Sequence, residues 1–69
     1  MPKLLSSREI IKVLVSNGFI LKSTKGSHCK YIKENFIVIV PHPKPEIPYG
    51  TLFSIIRQSG LLKEKFFNC

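Results

Sequence analysis

Ile10, Val13 and Leu14 recur at three- and four-residue spacing, and Ile11 and Val15 widen the stripe. That period predicts an amphipathic helix with one buried face. Ser6-Ser7-Arg8-Glu9 precedes it with the form of a capping box. In that motif Ser6 accepts from the Glu9 amide, and the Glu9 carboxylate reaches back to the amide of Ser6. Asn17-Gly18 supplies the stop, because glycine enters the left-handed region without a Cβ penalty. The first helix is therefore expected over residues 7–17. The period then changes. Residues 19–23 (FILKS) form a short segment between Gly18 and Thr24-Lys25-Gly26, which predicts a strand. Residues 28–32 can pair with it antiparallel, with His28, Lys30 and Ile32 on one face and Cys29 and Tyr31 on the other. Lys33-Glu34-Asn35 reads as a polar turn. Residues 36–40 (FIVIV) are apolar at every position, so neither face of that strand belongs in water. One side takes helices, and the other is expected to be a contact surface.

Pro41, Pro43, Pro45 and Pro48 then punctuate an extended connection, since proline lacks a donor and fixes φ. Leu52, Ile55 and Ile56 return to helical spacing up to Gly60, with Pro48 or Thr51 as the start. Residues 61–67 are expected to close the chain as a short helix, folding Leu62, Phe66 and Phe67 back on the core. With no repeat and no long linker, residues 1–69 read as a single domain. The predicted order is α-β-β-β-α: an α+β domain in which two helices cover one face of a three-stranded antiparallel sheet. This is the layout of the double-stranded RNA-binding fold, and a layout alone does not fix an activity.

Composition narrows the chemistry. The 69 residues carry eleven Lys and Arg against four acids, a net charge of +7. Such a balance in a small domain favours an anionic partner, nucleic acid first and an acidic protein second. No apolar run approaches the roughly 18–20 residues of a membrane span, and the N-terminus lacks a signal-peptide pattern, so a cytoplasmic protein is expected. Cys29 and Cys69 stand far apart, which suits thiols in a reducing compartment and no metal pair or disulfide framework. The acids are Glu9, Glu34, Glu46 and Glu64, and no Asp occurs. Two-metal phosphoryl chemistry needs clustered acidic ligands, and no phosphate-cradling glycine motif is present. No metal and no cofactor are expected.

RNA permits metal-free cleavage, because its 2′-hydroxyl is a nucleophile already beside the scissile phosphate. Histidine suits the proton transfers, and lysines supply stabilising charge. Residues 24–31 (TKGSHCKY) fit that chemistry. Gly26 admits a close phosphate, Ser27 offers a hydroxyl and an amide, and His28 opens a strand. Lys22, Lys25 and Lys30 surround it with charge, while Tyr31 is placed to stack or donate. The plainer reading makes His28 a surface residue at a bend. His42, between Pro41 and Pro43, reads either as a second proton-transfer residue or as a loop residue held by prolines, and the latter is favoured.

The chain as a whole resembles the HicA-type toxins, the mRNA interferases of toxin–antitoxin pairs. LLSSREIIKVLVSNGF is similar to that family's first helix, which ends in Gly and an aromatic. KGSHCKY carries its Gly-Ser-His motif at Gly26, Ser27 and His28. IVIVPHPKPEIPYGTLFSIIRQSGL matches its third strand, Pro-His loop and Gly-Thr-Leu helix. The resemblance implies a catalytic role for His28, an mRNA substrate, and a HicB-type antitoxin that covers the toxin and occludes the site. Many relatives carry Pro-His-His or Pro-x-His in the loop, whereas this chain has Pro41-His42-Pro43, which weakens any second-histidine role there. Two functions stand side by side: a metal-independent endoribonuclease, or a non-catalytic RNA-binding module of the same fold. A basic scaffold for an acidic protein is the third.

Overall fold

In a computed structural model the residues described are 4–67; Cys69 lies outside them. The elements are α1 (Ser7–Ser16), β1 (Ile20–Lys25), β2 (His28–Lys33), β3 (Phe36–Pro41), α2 (Tyr49–Ser59) and α3 (Glu64–Phe67). The strands form one antiparallel sheet in the order β1-β2-β3. The helices pack on one of its faces, so the α+β layout inferred from periodicity is the architecture observed.

Local signals set the helix ends. Ser6 Oγ accepts from the Glu9 amide at 3.1 Å, and Glu9 Oε1 accepts from the Ser6 amide at 2.8 Å, so both halves of the capping box form. The last turn of α1 carries no basic residue. Lys33 of β2 fills that role by donating from Nζ to the Asn17 carbonyl at 2.7 Å, which places a cation at the negative end of the helix dipole. Helix α2 starts after Pro48 and ends at Gly60, whose φ is +71°.

The core is built where the two periodicities meet. Ile10 and Leu14 of α1, Val38 and Val40 of β3, and Leu52 and Ile55 of α2 are buried together with Phe19, Ile47 and Phe66. Burying each such side chain contributes about 1.5–3 kcal/mol, which is how so small a domain offsets the ordering of its backbone. The free edge of β3 is engaged at one point. The Ile39 amide donates to Gln58 Oε1 of α2 at 3.3 Å, and Pro41 ends the strand without a donor.

Two expectations change. Strand β1 runs two residues further than residues 19–23, to Lys25, because the hairpin turn needs only Gly26 and Ser27. The closing helix is also shorter than residues 61–67, and of its three apolar candidates only Phe66 is buried. Leu62 precedes the helix and is 69% exposed, and Phe67 is 40% exposed, since a single turn can present only one side chain to the core.

Gly26 and Gly60 share positive φ, at +59° and +71°, but differ in surroundings. A Cβ at Gly26 would meet nothing within 4 Å, whereas one at Gly60 would stand 2.5 Å from the Phe36 ring. Gly26→Ala is expected to cost about 1–2 kcal/mol from backbone strain alone. Gly60→Ala adds an overpacking cost of about 1–3 kcal/mol. Urea unfolding of the two variants checks the ranking.

Candidate functional site

The side of the sheet away from the helices is uncovered, and cross-strand register arranges it in rows. At one end Ile20, Ile32 and Ile37 face one another across all three strands. Ser23, Lys30 and Ile39 form the next row. Lys25, His28 and Pro41 form the last. Ile20, Ile37 and Ile39 are 63%, 53% and 37% exposed, so the face grades from an apolar row to a basic one.

His28 stands in the basic row because β2 alternates. Cys29 and Tyr31 point into the core, which sends His28 and Lys30 outward. Lys25 is the direct cross-strand partner of His28, and the two flank the two-residue turn Gly26-Ser27. Glycine meets the turn's left-handed requirement and leaves open space above its Cα. The structure thus brings Lys25, Gly26, Ser27, His28 and Lys30 to one exposed end of the sheet. Lys22 is offset: the register slips between Leu21 and Ser23, leaving it without a facing partner at the bulge.

Tyr31 requires a correction. Its ring is buried at 7% exposure, on the face opposite His28, so it packs the core and offers no stacking surface to a ligand at the histidine. Burial pushes its phenol above the ordinary 10.0, and the neighbouring Cys29 adds to the rise.

His42 falls on the other side of the sheet from His28. Pro41 pairs with His28, and the next residue alternates inward, toward α1. There the His42 Nδ1 lies 2.7 Å from Ser7 Oγ, a buried hydroxyl in the first turn of α1. Ser7 Oγ also accepts from the Lys44 amide at 2.9 Å, so one hydroxyl holds both the ring of His42 and the backbone two residues beyond it. The Ser7 amide donates to the Lys44 carbonyl at 2.9 Å, and the His42 amide donates to the Ser27 carbonyl at 2.8 Å. His42 therefore ties the helix layer to the turn that precedes His28. It is a clasp, and the pairing turns its ring away from the exposed face. Ser7 was not singled out from the sequence, where it is an ordinary capping-box neighbour; its partner lies 35 residues away.

Among the described residues, no group of three or more His, Cys, Asp or Glu is placed to hold a metal ion, and no helix is long and apolar enough to cross a membrane.

Fold and site together define a small basic α+β domain of α-β-β-β-α order, with a histidine behind a Gly-Ser turn on the uncovered face of its sheet. The model of the family described as the HicA toxin of bacterial toxin–antitoxin systems matches residues 7–61, from the first turn of α1 to just beyond Gly60. The chain belongs to the HicA toxin family. It is thus the toxin half of a toxin–antitoxin pair, and the family implies an antitoxin as partner. A search of curated proteins gave no match.

Two outcomes follow from the buried groups. Ser7→Ala leaves the Lys44 amide and His42 Nδ1 without their shared partner, which should cost about 1–3 kcal/mol in urea unfolding. For Tyr31 the folded state holds the phenol proton more tightly than the unfolded chain does. Its contribution to stability is complete below the unfolded value and is lost as pH rises through the folded one. Alkaline destabilisation above about pH 10 should be smaller in Tyr31→Phe than in the wild type, read as melting temperature against pH.

Proposed function

We propose that this toxin is a metal-independent endoribonuclease acting on mRNA, with His28 as its proton-transfer residue and a HicB-type antitoxin as its inhibitor. The observation that supports this most is the position of His28, exposed on the open face with Lys25 opposite it and Lys30 two residues along, in a chain of this toxin family.

The chemistry follows from the residue types. RNA lies with its scissile phosphate over the Gly26-Ser27 turn, where the absent Cβ allows close approach. A proton leaves the 2′-hydroxyl, the 2′-oxygen bonds to phosphorus, and the bond from phosphorus to the 5′-oxygen breaks. The products are a 2′,3′-cyclic phosphate and a 5′-hydroxyl, the latter taking up a proton. His28 serves one of the two proton transfers. Lys25 and Lys30 stabilise the charge that builds on the phosphorane oxygens, with Ser27 positioning the phosphate or the ring and Lys22 holding RNA further along β1. His42, turned to the helix layer, acts only through the placement of Ser27.

The same face suits occlusion by a protein. An antitoxin laid over the row Ile20, Ile32 and Ile37 removes exposed apolar surface from water and reaches His28 at the opposite end of the strands.

Positioned acid–base groups contribute about 10²–10⁴-fold. His28→Ala should therefore lose at least about 100-fold in RNA cleavage while unfolding like the wild type, because the side chain is exposed. Wild-type cleavage should persist in EDTA and stop when the cognate antitoxin is added. Full cleavage by His28→Ala, or loss of wild-type activity on chelation, refutes the mechanism. RNA binding without any cleavage identifies a binding module instead.

A further inference from the structure

The open sheet face leaves a second exposed apolar feature unexplained. Helix α2 carries Tyr49, Phe53 and Arg57 at successive four-residue steps, which places them along one stripe. The Tyr49 and Phe53 rings are stacked, with centroids 6.2 Å apart and planes 24° from parallel. Tyr49 is half-buried against the core, and Phe53, the outer ring of the pair, is 49% exposed. Arg57 is exposed at the far end of the stripe.

Resting on the ribonuclease reading above, the geometry points to this stripe as a stacking subsite for unpaired bases of the RNA, with Arg57 on the adjoining phosphate. Three observations favour RNA as its occupant. Every base has a flat π-face, and the outer face of Phe53 extends a stack that Tyr49 has already begun. The charge is complementary: α2 contains no acidic residue, its first turn has no side-chain cap, and the whole chain carries +7. Finally, α2 begins at the His28 end of the domain. The Ile47 amide donates to the Leu5 carbonyl, beside the Ser7 that grips His42, and the His42 amide holds Ser27. A strand lying over the Gly26-Ser27 turn can continue around the Pro41 end of β3 onto the first turns of α2. The subsite requires splayed bases, so it selects single-stranded RNA over a duplex, whose bases are already stacked.

The test uses the full chain carrying His28→Ala, so that RNA is not cut, with a single-stranded oligouridylate of about eight nucleotides and a duplex RNA of equal length as probes. Adding Phe53→Ala should weaken oligouridylate binding about 5- to 100-fold and leave its salt dependence unchanged, because stacking releases no counterions. Duplex binding should change little. Adding Arg57→Ala instead should lower the salt slope by about 0.7. The chain has no tryptophan, so Phe53→Trp supplies a single indole reporter, and its fluorescence should be quenched by oligouridylate. Unchanged affinity in Phe53→Ala together with an unquenched indole overturns the subsite and leaves the RNA reading intact. Loss of antitoxin binding without loss of RNA binding also overturns it and makes the stripe a protein contact. If the His28→Ala parent binds neither RNA, the ribonuclease reading falls and the subsite falls with it.

Discussion

A sheet has two faces, and this chain has helices enough for one. Helices α1 and α2 cover the side that carries Cys29, Tyr31, Val38 and Val40, and nothing among the described residues covers the other. Alternation along β2 and β3 then dictates what is left outside. On β2 the excluded residues are basic and polar at the start and apolar at the end. On β3 they are Ile37 and Ile39, residues as apolar as the buried Val38 and Val40 between and beside them. A chain near this length buries only about 60% of its unfolded surface, so an open face is a consequence of size. Its composition is not: a face meant only for water would not place isoleucines on three strands in one row.

The second dependence is the clasp at one end of the sheet. Ser7 serves three partners: its amide reaches the Lys44 carbonyl, and its hydroxyl serves both the Lys44 amide and His42 Nδ1. The proline-rich segment after β3 is thereby fixed to the first turn of α1, while the His42 amide fixes it to Ser27. A two-residue turn with a glycine has little of its own to hold it in place. The Gly26-Ser27 turn is held through Ser27 to His42 and, through Ser7, to the capped start of a helix whose inner stripe, Ile10, Val13 and Leu14, is buried. The placement of the residues around His28 thus comes from the helix layer, through a histidine on the opposite side of the sheet.

What could be read from the sequence was what is local. The capping box, the Gly18 and Gly60 stops and the alternation of β2 are each set by neighbours within four residues, and each appears in the structure. So does the sorting of His28 and Lys30 from Cys29, because period two needs only one known inward residue to assign the rest. Long-range facts were hidden. The Ser7–His42 contact spans 35 residues, and no spacing rule reaches that far. The offset of Lys22 depends on a slip in pairing, which the strand's own sequence does not announce. Tyr31 belongs with the site only by its neighbours in TKGSHCKY; alternation places it with Cys29 and away from His28. Leu62 departs from expectation because a period spread over one turn does not distinguish which of several apolar residues faces inward.

Charge and apolarity are separated along the open face, and that separation bears on how two partners can share it. Glu34 lies in the turn beyond the isoleucine end, Glu9 is engaged in the helix cap, and Lys25, His28 and Lys30 stand at the opposite end of the sheet. On the proposed reading, RNA takes hold chiefly through phosphates at the basic end, an attraction that falls steeply as salt releases its advantage in counterions. A covering protein can also use the isoleucine end, where burial is insensitive to ionic screening. On that reading the two partners overlap at His28 but not along the whole face. An inhibitor anchored on the apolar row need not out-compete RNA charge for charge; it needs only to extend one segment over the basic row once it is seated. On the proposed reading, a face divided into an apolar anchor and a basic site makes inhibition by occlusion physically economical in a domain with so little surface to give.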